Sequence, residues 1–218
     1  MLPMKPKLDP MTEQLQHILR ELKAEYPDAD CALVHSNAHE LLFATIMSAQ
    51  TTDVNVNRVT ETLFQKYQSI QDFAEADLET FQEEIKSTGF FRNKAKNVLS
   101  SANLLVDEYG AEVPQTMEDL LRLPGVARKT ANVVLGTFYG IPAGIVVDTH
   151  VKRLAFRLGL TQQTDPVKVE TDLMQIIPQD EWIFFAHAIV LHGRAVCDAK
   201  KPQCHACCLR PVCPQKGV

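Results

Sequence analysis

Leu123-Pro124-Gly125-Val126-Ala127-Arg128-Lys129-Thr130-Ala131-Asn132-Val133-Val134-Leu135 joins two helical runs, 117–121 and 128–139, through a tight turn. Pro124 presets its own φ, and Gly125 can take φ > 0 without steric cost. The second helix therefore starts abruptly, with its first backbone N–H groups pointing outward. Such a helix start is an anion site. Arg128 and Lys129 stand just inside it. Helix, hairpin, helix and a basic first turn point to a grip on a phosphate.

Outward from that turn, apolar residues recur at helical spacing. Met11, Leu15, Ile18, Leu19, Leu22 and Tyr26 form one stripe, which Pro27 ends. Residues 40–49 are apolar nearly all round, which predicts a buried central helix with a polar exit over 48–53. Further stripes follow on Val56, Val59, Leu63 and Tyr67, on Leu78, Phe81 and Ile85, and from Ala95 to Tyr109. Gly89, Gly110, Gly140 and Gly159 are expected to close helices, and Thr116 to cap one with Asp119 three residues on. Residues 141–147 are an apolar crossing segment; a short strand there would have no sheet to join. After it come stripes on Val151, Leu154 and Leu158, on Val169, Leu173 and Ile176, and on Trp182, Phe185, Ala186 and Ile189. No period-2 alternation is sustained, so the fold class is all-α.

The chain has 218 residues and a formal net charge of -5, a mild argument against a polyanionic partner. The distribution argues the other way. Residues 121–160 carry six Lys/Arg against one acid, net +5, whereas 61–90 carry two against seven, net -5. Residues 191–218 carry five against one, net +4. Only the patch that faces a polyanion releases its counterions, so an acidic back and a basic front are compatible with binding DNA. Residues 1–10 lack the apolar core of a signal peptide and no run is long enough to span a membrane, so we expect a monomeric intracellular protein, cytoplasmic and nucleoid-associated.

Cys197, Cys204, Cys207 and Cys213 have the spacing C-x6-C-x2-C-x5-C. Four thiols so close can converge on one metal centre, and spacing alone leaves structural zinc and an iron–sulfur cluster both open. Cys31 and Cys208 fit no pattern. Lys200 and Lys201 lie in the loop between the first two of these cysteines, where they either press on a second phosphate or solubilise the loop.

Lys129 is the candidate nucleophile. The first turn of a helix disfavours a cation, and Arg128 acts the same way, so the free amine is favoured. A neutral amine suits Schiff-base chemistry. Asp148, at the start of the next helix, is its candidate partner: an N-cap carboxylate stays ionised and can steady a developing positive charge.

The residues 123–132, 147–153, His192-Gly193-Arg194 and the four spaced cysteines resemble endonuclease III, the iron–sulfur branch of the helix-hairpin-helix DNA glycosylases. The resemblance runs from Glu40 to Cys213. It implies two helical domains: a six-helix barrel over 31–142 containing the hairpin (116–139), and a cluster domain over 1–30 and 143–218, with DNA in the cleft between them. It implies a [4Fe-4S] cluster on the four cysteines, and excision of oxidised pyrimidines from duplex DNA. In that reading Lys129 attacks C1′ of a flipped nucleotide, Asp148 assists, and β-elimination cuts the strand 3′ to the abasic site. Gly125, Ala127, Arg128, Thr130, Lys200 and Lys201 would contact DNA. Gln50 would fill the gap left by the flipped base, Phe90 would intercalate, and His150 would support the site. Two positions depart from the pattern: Phe90 stands where leucine is usual, and Ala127 where glycine is usual. An adenine-excising relative has another residue at the lysine position, and a zinc-bound DNA-binding module would leave Lys129 and Asp148 without a purpose.

Overall fold

The structure is a computed structural model that describes residues 10–218. The reading of the first ten residues as lacking a signal peptide therefore lies almost wholly outside the described residues, as does 1–9 of the expected cluster domain. Among the described residues every regular element is helical, and none is long and apolar enough to cross a membrane. The chain divides into two compact units: 10–30 with Gly144–Val218, and Cys31–Ala143.

The unit Cys31–Ala143 is built around α2 (Ala38–Met47), in which Leu41, Leu42, Phe43, Ala44 and Met47 are fully buried. Around it pack α3 (Asp53–Lys66), α6 (Phe91–Tyr109) and α8 (Arg128–Val133). Two short helices, α4 (Ile70–Ala74) and α5 (Leu78–Glu84), lie against α6. Their aromatic residues close the core: Phe43 and Phe73 have ring centroids 4.7 Å apart, and Tyr67 and Phe81 pack on Phe73. Burying a side chain of this size contributes roughly 1.5–3 kcal/mol. α7 (Met117–Arg122) precedes the turn that leads into α8. The helix of α8 continues beyond Val133 with wider, π-helical hydrogen bonding over Val134–Phe138.

Two departures from the sequence reading have local causes. α2 begins two residues earlier than the apolar run, because Asn37 accepts from the Glu40 N–H (3.0 Å) while the Glu40 carboxylate accepts from the Ser36 N–H (2.6 Å). α4 has no counterpart in the reading. Five residues are too few to show a period, yet a capping box between Ser69 and Asp72 starts the helix and buries Ile70 and Phe73.

The other unit packs α1 (Pro10–Glu25), α9 (Thr149–Arg157), α10 (Pro166–Ile176) and α11 (Trp182–Ala195) around Ile18, Leu22, Val151, Leu154, Leu173, Phe185 and Ile189. Residues 141–147 form no strand. They run as irregular chain that buries Ile145 and Val147 in this core.

Most helices carry a side-chain cap: Thr52 on α3, Asp77 on α5, Thr116 on α7 as the sequence suggests, Asp148 on α9 and Asp165 on α10. The N-caps of α6 and α8, Phe90 and Ala127, provide none. Both are positions singled out above for DNA.

The turn before α8 has one backbone hydrogen bond, Val126 N–H to the Leu123 carbonyl (3.1 Å), with Pro124 second and Gly125 third at φ +78°. That is the type II arrangement. Ser101 Oγ on α6 donates to the Pro124 carbonyl (2.8 Å), and the Asn97 side chain fills the space where a Gly125 Cβ would stand, at 2.7–2.9 Å. A Gly125→Ala chain thus meets both an unfavourable φ and a collision. Its unfolding free energy is expected to fall by about 1–3 kcal/mol in denaturant titrations; an unchanged midpoint would show that the turn yields freely.

Candidate active site and cysteine centre

The first backbone hydrogen bond of α8 runs from the Ala131 N–H to the Ala127 carbonyl (3.0 Å). The N–H groups of Arg128, Lys129 and Thr130 lie ahead of it, and Ala127 has no side chain to cap them. The Ala127 backbone is extended, at φ -96° and ψ 170°, so alanine meets no strain there. Lys129 is exposed. Thr130 is buried.

Gln50 and Phe90 share an uncommon backbone. Gln50 has φ +56° in a turn closed by the Thr51 N–H on the Ser48 carbonyl (3.2 Å). Phe90 has φ 49° and ψ 26°, and is 66% exposed. Large side chains rarely occupy this left-handed region, and such residues concentrate at functional positions.

Asp148 belongs to the other unit, with half-buried surroundings. Its Oδ1 accepts the N–H groups of both His150 and Val151 at 2.8 Å. The cap thus uses one carboxylate oxygen and leaves Oδ2 outside it. His150 is oriented by Arg153, whose Nη2 donates to His150 Nδ1 (3.1 Å) and to the Gly193 carbonyl on α11 (2.9 Å). A Cβ at Gly193 would stand 2.9 Å from His150 Nδ1, so only glycine lets α9 and α11 approach this closely.

The four spaced cysteines are partly buried, and Cys197, Cys207 and Cys213 pack against the core of their unit. Burial pushes the Cys207 thiol up to about 11, and the neighbouring thiols of Cys208, Cys197 and Cys213 act in the same direction. Burial also raises Cys213, with Cys197 and Cys204 adding to it. Three groups direct hydrogen bonds at the sulfurs. Arg157 Nη1 donates to Cys197 Sγ (3.3 Å), His192 Nε2 lies 3.3 Å from Cys207 Sγ, and the Gln215 N–H donates to Cys213 Sγ (3.4 Å). Burial shifts His192 below the ordinary histidine range, and Tyr26 OH lies 3.0 Å from its Nδ1. Among the described residues no three His, Cys, Asp or Glu side chains are arranged around a single ion.

Arg157 is buried at 5% exposure and also donates to the carbonyls of Asp198 (2.7 Å) and Ala199 (3.0 Å). Asp198 Oδ1 accepts the N–H groups of Lys200 and Lys201, at 2.8 and 3.1 Å, which leaves both lysine side chains exposed on this anchored loop.

The basic front is smaller than its formal charge. Arg157 is internal, Arg153 binds loop carbonyls, and Arg122 pairs with Glu108. Counting charges cannot see such commitments. It also passes over the roles of Arg157 and His192; a His and an Arg on otherwise apolar helix faces are the available signal. In the acidic segment, Asp72 and Asp77 are caps and Glu83 and Glu84 pair with Lys86 and Lys66.

With this geometry in hand, known proteins provide a frame. The model of the HhH-GPD superfamily of base excision DNA repair proteins matches residues 43–179. Endonuclease III of Synechocystis sp. is 53% identical over 208 residues, 95% of each chain. A solved non-covalent endonuclease III–DNA complex superimposes with a TM-score of 0.89 at 44% identity, covering 96% of this chain and 97% of that one. A trapped endonuclease III–DNA covalent intermediate gives 0.88 at 43% identity, with the same coverage.

Arg157→Ala removes the one buried donor shared by a cysteine sulfur and two loop carbonyls. It is expected to cost about 2 kcal/mol of unfolding free energy. An unchanged unfolding midpoint in denaturant titrations would contradict this role.

Proposed function

Because the chain belongs to the endonuclease III family of the HhH-GPD superfamily of base excision DNA repair proteins, we propose that its α8 start is where a bifunctional DNA glycosylase and abasic-site lyase attacks damaged duplex DNA. The substrates are oxidised pyrimidines and abasic sites, and the place of action is the nucleoid. The observation that carries the reading is Lys129, exposed in the first turn of an uncapped helix behind a phosphate-type turn, in a fold shared with a protein trapped covalently on DNA.

The damaged nucleotide leaves the stack. A phosphate beside it is held by the N–H groups at the start of α8, with Gly125 and Ala127 permitting close approach. The Lys129 amine forms a bond to C1′ as the glycosidic bond breaks, and the base departs with that electron pair and takes up a proton. The Asp148 carboxylate, held in place by two backbone N–H bonds, stabilises the positive charge on the sugar. Loss of a proton from nitrogen and opening of the C1′–O4′ bond, with O4′ taking up a proton, give the protonated Schiff base. Removal of a C2′ proton then expels the 3′ phosphate oxygen, which cuts the strand 3′ to the lesion. Gln50 fills the gap in the stack, Phe90 wedges into it, and Lys200 and Lys201 meet phosphates further along. His150 supports Asp148 from its place beside Arg153.

Cys197, Cys204, Cys207 and Cys213 hold a [4Fe-4S] cluster in this reading. The family resemblance favours the cluster over zinc, and the Arg157 and Gln215 donors to the cysteine sulfurs are of the kind that tune iron–sulfur sites. The four cysteine thiolates would ligate the cluster, and that ligation would tie the loop of Lys200 and Lys201 to the helical core.

The test is single-turnover cleavage of a duplex containing one 5-hydroxyuracil. Wild type should release the base and leave a β-elimination product. Asp148→Asn should slow excision by about 10²-fold or more while changing affinity for an abasic duplex by less than about threefold. Equal losses in rate and affinity would reduce Asp148 to a structural cap.

A further inference from the structure

Phe90 and Gln50 stand on two separate turns, yet both need their left-handed backbone to be held in place. Asn55, in the first turn of α3, reaches both turns. Its Nδ2 donates to the Ser87 carbonyl (2.9 Å) in the 3₁₀ turn Lys86–Thr88 that leads to Phe90. The same Nδ2 donates to Thr51 Oγ1 (3.2 Å), the residue after Gln50. Arg58 Nη2 donates to Asn55 Oδ1 (2.8 Å), which fixes the amide orientation.

Lys94 acts from the other side. It is 4% exposed, and among the described residues no carboxylate lies within ion-pair distance. Its Nζ donates to the Thr88 carbonyl (2.7 Å), while its own backbone N–H donates to the Phe90 carbonyl (3.2 Å). One residue thus grips the chain on both sides of Gly89-Phe90. A buried ammonium without a counterion is costly, and its side chain's one recorded partner is the end of the turn that presents Phe90. Exposed surface would have accommodated this lysine at no cost.

We infer that Asn55 and Lys94 are positioning residues for base extrusion, which lock the turns of Gln50 and Phe90 in the conformation that enters the duplex. The inference rests on the proposed roles of Gln50 and Phe90. Asn55 couples the two turns, so filling the gap and wedging the stack occur from one preset frame. Lys94 supplies stiffness beneath the wedge, where a pivoting Phe90 would lose its leverage.

The experiment compares Asn55→Ala and Lys94→Met with wild type and with Phe90→Ala. Two substrates separate extrusion from chemistry: a duplex with one 5-hydroxyuracil beside a fluorescent 2-aminopurine, and a single-stranded abasic oligonucleotide that needs no extrusion. Both variants should slow the fluorescence rise and single-turnover excision on the duplex by about tenfold to a hundredfold. Cleavage of the single strand should stay within about twofold of wild type. Equal losses on both substrates would mean general damage to the fold and overturn the inference, as would wild-type extrusion in both variants. Wild-type extrusion in one removes that residue from the assignment. If Lys94→Met fails to fold, the half-buried Asn55 decides alone. Normal duplex excision by Phe90→Ala would instead sink the wedge reading itself, whereas an impaired Phe90→Ala beside two normal variants sinks only the positioning role.

Discussion

Gly125 sits at φ +78° against the side chain of Asn97, with its turn tied to α6 through Ser101. This contact leaves the chain no room to place anything but hydrogen there, and it sets where α8 begins. Ala127 contributes no side-chain cap to this helix start, and Lys129 follows two residues later. The usual remedies for a helix start, a Ser, Thr, Asp or Asn at the cap, appear on α3, α5, α7, α9 and α10. Such a residue is absent at the N-caps of α8 and α6, where Ala127 and the exposed Phe90 stand instead. Stability is given up at those two ends, and the packing of α2 and its aromatic neighbours sustains the unit regardless.

α9 illustrates how one short helix can serve two purposes inside its unit. At its start Asp148 is held by two backbone donors. Further along, Arg153 and Arg157 reach the carbonyls of the loop that begins at Cys197. Arg157 also touches a cysteine sulfur. The lysines on that loop are presented by Asp198, which turns their backbone inward and their side chains out. The carboxylate at one end and the cysteine loop at the other are therefore parts of one rigid piece.

Much of this was legible in the sequence because helices declare themselves by period. The stripe on α1, the apolar α2 and the Thr116 cap all read directly, and the Pro124-Gly125 turn announced its geometry. The failures have physical reasons. α4 is a single turn held by a capping box, too short for any stripe. The start of α2 depends on Asn37 accepting from the Glu40 N–H and on the Glu40 carboxylate accepting from the Ser36 N–H, a pair of bonds before the apolar run. The basic front was overcounted because a formal charge says nothing about whether it is buried, like Arg157, or paired, like Arg122. The left-handed backbone at Gln50 and Phe90 could not be read at all, since neither residue type requests it; it follows from the turns that Asn55 and Lys94 bracket.

The account stands or falls on the chemistry at the start of α8. Reducing the enzyme with borohydride on a duplex containing an abasic site, then digesting and sequencing the cross-linked peptide, addresses it directly. The DNA remnant is expected on Lys129, in the peptide that follows Arg128. A remnant on any other lysine, or no cross-link while cleavage proceeds, would contradict the assignment of the nucleophile.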